Sequence, residues 1–588
     1  LRAERELAED DELEDAGVVA RYLSNPVALA LTVIVAVALF GTRTAWGTVV
    51  GGALAPVPAD VGAWWSLATH AWHPLGFGTD VPAPPYVAFL AVLGTFLGTT
   101  GAISVLMLGA VPFGLWGAWR FLRVAGRLVS PQGAPRWLLV AAATTYALVP
   151  VTSGAWGSGR LGLVVSAALV PWLAHAALGF ADPDPEGRRR AGWRTGLLLT
   201  LCAAFSPAAW WLALAVLVLV LVLGVLVART ALLARDLLGP PITAVVVPMV
   251  LLAPWWVAAL RSGAAGALVA ESGRQPAAQL TALDLLTGRL ESSGAPAWSG
   301  VVLLVLAAVA LAPRSSRIPV ALCWLIAVAT VLVAVVLAGL NVDLVAGSSP
   351  AGLGITVVVL QAALVTAVLL GAQGMLRAPL AMTGATSRRA LRVAGLGAAV
   401  AAMSVPAAGL LWTVDGTGDL SSAPAKVVPA YMLQSSVVGP EHGILVVRGS
   451  LFGGLSYTVR RDDGVTIGED EILALAQQDA DAHDVISALL ARPTGTVVQD
   501  LGDLGLEWVL MTAPADGTVA ASLDATTGLI QASTEPGTRA WRVDRALAAD
   551  AVDGPGSWVF GLLLVVQGLG LIVVLVQCVP NLRSGRSA

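Results

Sequence analysis

Apolar residues in this chain come in long unbroken runs. They do not follow the i, i+3, i+4 spacing of a half-buried helix or the alternation of a half-buried strand. A membrane-crossing helix needs about 20 largely apolar residues. Runs of that kind fall near residues 26–45, 100–122, 136–151, 159–179, 192–206, 208–228, 241–260, 298–312, 318–340, 353–376, 391–412 and 557–578, which predicts about 12 spans. Residues 413–555 break the pattern and read as a soluble domain. Within it GILVVRG (443–449), LSYTVR (455–460) and LEWVLMT (506–512) predict strands. The stretch 469–492 predicts one helix, because Ile472, Leu473, Leu475 and Ala476 recur before Val485, Ile486, Leu489 and Leu490. The expected fold class is a polytopic α-helical membrane protein with a small extracytoplasmic α/β domain before the last span.

Composition supports that class. The 588 residues are 57% hydrophobic and 12% charged, with a mean hydropathy of +0.80, far from a soluble globular chain. The arginines are sorted along the sequence. Arg120, Arg123, Arg127 and Arg136 mark one loop, Arg188, Arg189, Arg190 and Arg194 the next. Arg229 with Arg235, Arg314 with Arg317, Arg377 with Arg388, Arg389 and Arg392, and Arg583 with Arg586 continue the series. Short cytoplasmic loops hold the excess of Lys and Arg, so both termini are expected in the cytoplasm of a multi-pass cell-membrane protein. The division that follows is a cytoplasmic acidic linker (1–24), a membrane domain (25–412) with an outer loop at 41–85, the extracytoplasmic domain (413–555), a last transmembrane helix (556–579) and a cytoplasmic tail (580–588). The Arg pattern allows one crossing between Tyr86 and Arg123, so Tyr86 to Leu97 is expected to be re-entrant or interfacial and broken by GTTG at 98–101. The opening run LRAERELAEDDELEDAG starts without Met and reads as a linker with further sequence upstream.

The candidate chemistry concentrates in loop 41–85, which holds Asp60, Asp80, His70, His73, Trp64, Trp65 and Trp72. The span interiors hold no ionisable groups, with Gln361, Gln373 and Gln567 as the polar exceptions, which argues against an ion-coupled transporter. No GxxxxGK[ST] phosphate loop occurs, and no G-x-S-x-G elbow accompanies the Ser, His and Asp of the α/β domain. Cys202, Cys323 and Cys578 lie in apolar runs and suggest neither disulfide nor zinc. His70 and His73 sit three apart, so a divalent metal is a candidate cofactor, although the neighbouring tryptophans equally suit an interfacial aromatic belt. His442 and His483 lack ligand spacing and read as surface residues. Asp60 has two readings, a general base or the cap of a helix beginning at VGAWWSL. Asp80 before VPAPP is a second candidate carboxylate or a turn residue. Arg160, alone after VPVTSGAWGSG, is a candidate ligand for a lipid phosphate or a snorkelling cation. Trp64 and Trp65 are candidate substrate-binding aromatics.

Many spans, a long first outer loop with PADVGAWW and GTDVPAPP, a re-entrant segment and a late α/β domain together resemble the multi-spanning glycosyltransferases of the GT-C type. Among these the layout is most similar to large actinobacterial envelope enzymes such as arabinofuranosyltransferases. The resemblance implies transfer of a sugar from a polyprenyl-phosphate donor to an envelope glycan acceptor at the outer membrane face, with Asp60 or Asp80 as the loop carboxylate. Membrane lipids are expected partners and nucleic acid is not. A second resemblance is to long proteins in which a cytoplasmic family 2 glycosyltransferase domain precedes such a membrane region, which would make this region a non-catalytic anchor or exporter. A lipid-linked sugar transporter is the third reading.

Overall fold

In the computed structural model the described residues are Tyr22, 25–41, 43, 47–228, 235–273, 281–291, 293–345, 347–377, 400–414, 418–422, 428–461, 464–477, 479–533 and 537–579. A helix occupies the described part of each of the apolar runs that the sequence marks; residues 391–399 of one run, nearly all of the expected linker 1–24 and the expected tail 580–588 lie outside the described residues. In chain order these are α1 (Pro26–Gly41), then the short α2 (Val61–Thr69), α3 (Tyr86–Ala125), α4 (Arg136–Ala147), α5 (Leu161–Ala177), α6 (Pro185–Phe205), α7 (Ala208–Ala228), α8 (Arg235–Leu251) and α9 (Ala253–Arg261). The short α10 (Ala282–Thr287), α11 (Ala297–Val309), α12 (Arg317–Ala338) and α13 (Gly354–Arg377) follow, and then α14 (Val400–Val414). Among the described residues five helices are long and apolar enough to cross a membrane, or six if the bent pair α8–α9 counts as one span. The described parts of α1, α7, α11 and α14 are shorter apolar helices, so the expected count of about 12 rests partly on helices below full span length.

Two breaks in these helices have local causes. Gly98 inside α3 has φ 73° and ψ 167°, a region essentially reserved for glycine, so residues 86–97 and 99–125 run as separate helical pieces. This is the position where GTTG predicts an interruption. The piece before the break packs on α2, and Gly94 leaves room for the Trp64 ring, which would lie 3.0 Å from a Cβ there. The second break, a 61° bend, separates α8 from α9. Pro254 sits in the first turn of α9, where its missing N–H costs nothing, whereas inside a continuous helix it would remove a hydrogen bond. Helices α6 and α8 pack closely. Gly192 and Gly196 lie on the facing side of α6, where an added Cβ would come within 2.8 Å of Pro240 O and of Val247 Cβ respectively. Small residues four apart permit such backbone approach in lipid, where tight packing replaces the hydrophobic drive.

After a short hairpin of β1 (Asn341–Leu344) and β2 (Gly347–Pro350), the remaining strands build a five-stranded sheet. They are β3 (Gly443–Ser450), β4 (Gly454–Arg460), β5 (Leu506–Met511), β6 (Leu529–Ser533) and β7 (Arg539–Val543), in the order β4-β3-β5-β7-β6. Only β3 and β5 run parallel. Leu445, Val447, Val509 and Met511 pack into one core with Ile486, Leu489 and Trp541, while Ile444, Val446, Trp508 and Leu510 face Val428 and Met432 on the other side. Central strands covered on both faces read as continuous apolar runs, which is why β3 and β5 are visible in sequence.

The helices of this domain are α15 (Ala430–Ser436), α16 (Glu469–Leu475), α17 (Ala480–Ala491), α18 (Gly495–Asp503) and α19 (Gly517–Asp524). The stretch 469–492 is therefore two helices and not one. Asp479 ends the continuity by capping α17, its side chain accepting from Ala482 N. The chain closes with α20 (Trp558–Cys578), which packs on α6 and α8, and Arg194 donates to its last carbonyl at Cys578. The α/β domain docks on the membrane domain through Trp72 Nε1 to Val552 O (2.8 Å), Arg461 Nε to Gly76 O (2.7 Å), Ile467 N to Pro56 O (2.9 Å) and Val345 N to Ala474 O (2.9 Å).

Candidate functional site

The charged residues enclosed by this docking form two linked clusters. The first is centred on Arg160, which immediately precedes α5 after a turn containing Gly154 and Gly159, both with positive φ. An added Cβ at Gly159 would meet the backbone of Gly51 at 2.5 Å, so the turn is pressed against loop 41–85. Arg160 is 5% exposed. Its Nε and Nη2 donate to the two oxygens of Glu271 at 3.1 and 2.8 Å, and Nη1 donates to Glu291 at 2.9 Å. Glu271 also accepts from the Gly354 N–H at the start of α13, 3.2 Å away. A buried guanidinium must carry its counter-charge with it, and the bidentate fork to Glu271 meets that need. Burial holds the Glu291 carboxyl above its ordinary range, and Arg160 opposes that shift.

The second cluster begins two residues beyond Glu271. The Gly273 N–H donates to Glu471 Oε1 at 2.6 Å, and the Tyr86 hydroxyl lies 2.8 Å from both Glu471 oxygens. Tyr86 opens α3 and is 2% exposed, stacked on Phe205 with ring centroids 5.4 Å apart. Glu471 belongs to α16, so the α/β domain contributes directly. Burial first, then the neighbouring Asp470, hold its carboxyl well above the usual carboxylate range. A small cleft lies here, lined in part by Leu54, Tyr86, Leu161, Ser272, Ile467 and Asp470.

The sequence-predicted residues are distributed differently. Asp60 is exposed and caps α2, accepting from Gly62 N at 2.9 Å. Trp64 and Trp65 follow on that helix. Trp64 is fully buried and Trp65 is 40% exposed, its Nε1 donating to Thr95 at 3.1 Å. Asp80 is exposed in the extended stretch before α3. Arg160 pairs with none of these four, and each of its three donor nitrogens is taken by a glutamate. His70 Nδ1 donates locally to Ser66 O, 2.9 Å away, while His73 is 1% exposed. Among the described residues no three of His, Cys, Asp and Glu gather as metal ligands. His442 is not a plain surface residue, since its Nδ1 lies 2.9 Å from Glu507, which also holds Arg542 and Ser435. Sequence reasoning missed Glu271, Glu291, Tyr86 and Glu471 as a group. The available signal was Arg160 itself, because a lone Arg inside apolar sequence demands an acidic partner.

No family model matches the sequence, and no curated protein matches it. Solved structures do match. Arabinofuranosyltransferase AftD from Mycobacteria superposes with a TM-score of 0.54 at 17% identity, over 89% of this chain and 40% of that one. A mutant of AftD gives 0.51 at 16% identity, over 89% and 42%. ArnT from Cupriavidus metallidurans bound to undecaprenyl phosphate gives 0.46 at 14% identity, over 90% and 99%. The chain thus spans about 40% of the length of AftD. This polytopic helical chain shares the fold of AftD over most of its own length.

Proposed function

We propose that this chain is a membrane glycosyltransferase, or the membrane region of one, that transfers a sugar from a polyprenyl-phosphate donor to an envelope glycan at the outer face of a bacterial membrane. The observation that carries the reading is the buried ionic seam where the α/β domain meets the membrane helices, Arg160 with Glu271 and Glu291 beside Tyr86 with Glu471, in a fold shared with AftD. Ionisable groups are costly next to lipid and are kept where chemistry or binding needs them. The alternation of arginine-rich loops supports cytoplasmic termini and an extracytoplasmic α/β domain. Asp60 and Asp80 are the proposed carboxylates for deprotonating the acceptor hydroxyl. Asp60 uses Oδ2 for its cap, and Oδ1 is the oxygen assigned to that step. Trp64 and Trp65 support the helix that carries it, and Arg160 holds the seam together.

A second reading has a specific observation behind it. Arg160 is fully committed to two carboxylates, an arrangement equally suited to a non-catalytic membrane region of a longer transferase. The experiment that decides is transfer of radiolabelled sugar from a polyprenyl-phosphate donor by the purified full chain in nanodiscs. Transfer by wild type with a loss of about 10²-fold or more in Asp60→Asn or Asp80→Asn supports the catalytic reading. Absence of transfer with every polyprenyl-phosphate pentose and hexose tested sinks it in favour of the non-catalytic region.

A further inference from the structure

Along α3, Phe113, Trp116, Arg120 and Arg123 recur at steps of three and four residues and so lie on one stripe of the helix. The stripe changes chemistry along its length. Phe113 and Trp116 are exposed aromatics, and the two arginines, also exposed, follow about one turn later. Trp172 of α5 lies against this stripe. Its ring stacks on Phe113 with centroids 5.0 Å apart, meets Trp116 edge-on at 5.1 Å and carries the Arg120 guanidinium 5.5 Å from a ring centre. Gly117 makes the approach possible, since a Cβ there would come within 2.5 Å of Trp172 Nε1. Arg123 lies over Trp119 at 5.2 Å, and the charges of both arginines act on His175, three residues after Trp172.

This corner is rich in donors and poor in acceptors. Among the described residues Arg120 and Arg123 have no ion pair and no hydrogen bond, and His175 Nδ1 is enclosed without a partner. Asp182 and Asp184, which follow α5, are committed to their own turn, Asp182 accepting from Asp184 N and Asp184 from Glu186 N and Gly187 N. Two guanidiniums without a counter-charge match the oxygens of a phosphodiester, and exposed aromatics deeper on the same stripe match a hydrocarbon chain. A zwitterionic lipid brings its own cation to such a corner and gains less from it. A free anion leaves the apolar part of the stripe bare.

We propose that the stripe from Phe113 to Arg123, with Trp172 and His175, is a binding site for a net-anionic phospholipid of the leaflet that meets the arginine-rich loops. Basic corners between membrane helices on that side take anionic headgroups. The site is separate from Arg160 and the ionic seam and does not depend on the function proposed above. It joins α3 and α5, whose other ends carry Tyr86 and Arg160, so its occupant clamps the helix pair that supports the seam.

The test uses the full chain in phosphatidylcholine nanodiscs with a small fraction of a lipid that carries a photoreactive group in its acyl chain, phosphatidylglycerol in one arm and phosphatidylcholine in the other. Mass spectrometry locates the labelled peptides. Phosphatidylglycerol is expected to label 113–123 and 169–176 at least about tenfold more than phosphatidylcholine does. Arg120→Gln or Arg123→Gln is expected to lower that labelling about fivefold, the contribution of one arginine near an anionic surface, and the two together to bring it to the phosphatidylcholine level. Arg189→Gln with Arg314→Gln removes the same charge from exposed positions off the stripe and is expected to leave the labelling unchanged. Excess inorganic phosphate is expected not to displace the lipid. Equal labelling by the two lipids, an equal loss in the Arg189 and Arg314 variant, or displacement by inorganic phosphate overturns the proposal. Thermal unfolding of each variant shows that it is folded.

Discussion

His73 is 1% exposed and its Nε2 has no hydrogen-bond partner. Burial, with a smaller push from His70, lowers its pKa from 6.5 to about 4. The opened loop therefore binds a proton more tightly than the closed one. Loop stability is full above the ordinary value of 6.5 and is lost as the pH falls through about 4, a difference of roughly 3 kcal/mol between the limits. The protection factor for hydrogen exchange across residues 71–81, which removes the intrinsic pH dependence of the amide rate, is expected to fall between pH 7 and pH 4.5 in wild type and to stay flat in His73→Phe. A flat wild-type profile would count against the buried neutral imidazole. Single residues also show how far the sequence speaks about the site. Arg160 is conspicuous as an isolated cation, and Asp60 stands where a cap for VGAWWSL belongs. Glu271, Glu291 and Glu471 are scattered over the chain and are gathered by helix packing, so no local spacing relates them.

At the level of elements, Gly98 divides α3 at a backbone conformation that costs a side-chain-bearing residue about 1–3 kcal/mol. Gly98→Ala is expected to lower the thermal midpoint of the purified chain, whereas Gly109→Ala, at a helical position of the same element with open space where the Cβ would go, is expected to change it little. Equal midpoints for the two variants would mean that the break is not held by backbone geometry. The same glycine explains why this interruption is legible in sequence, since GTTG announces it. The apolar runs are legible for a similar reason, because lipid imposes length and composition on a helix directly. Elements of the α/β domain are less so. Strands β3 and β5 are buried on both faces and stand out, but β6 and β7 have five residues each, with exposed positions at Gln531 and Arg542. The split of 469–492 into α16 and α17 is hidden because apolar spacing continues on both sides of a break that only the Asp479 cap defines.

At the scale of the whole molecule, Arg461 is the cation that joins the two domains. It is 5% exposed and donates to the carbonyls of Gly76, Pro440, Leu504 and Gly505. Burial pulls its pKa down to about 10, with Glu441 opposing. Arg461→Met leaves four carbonyls without this donor. It is expected to speed hydrogen exchange in both 71–81 and 440–446, and Arg461→Lys is expected to restore only part of the protection, because a compact ammonium lacks the planar fork. Protection unchanged in Arg461→Met would show that other contacts hold the domains together. The α/β domain follows α14 and precedes α20, so it is tied to the membrane domain at both ends of its own sequence. Its docking is therefore an intramolecular event at an effective concentration on the order of millimolar. At that concentration the docked state is favoured beyond what its hydrogen bonds supply alone, and Ile467 and Ile472 add apolar burial in the core of the membrane domain. The double tether thus holds the domain to its seat and makes any separation short in reach and quick to reverse.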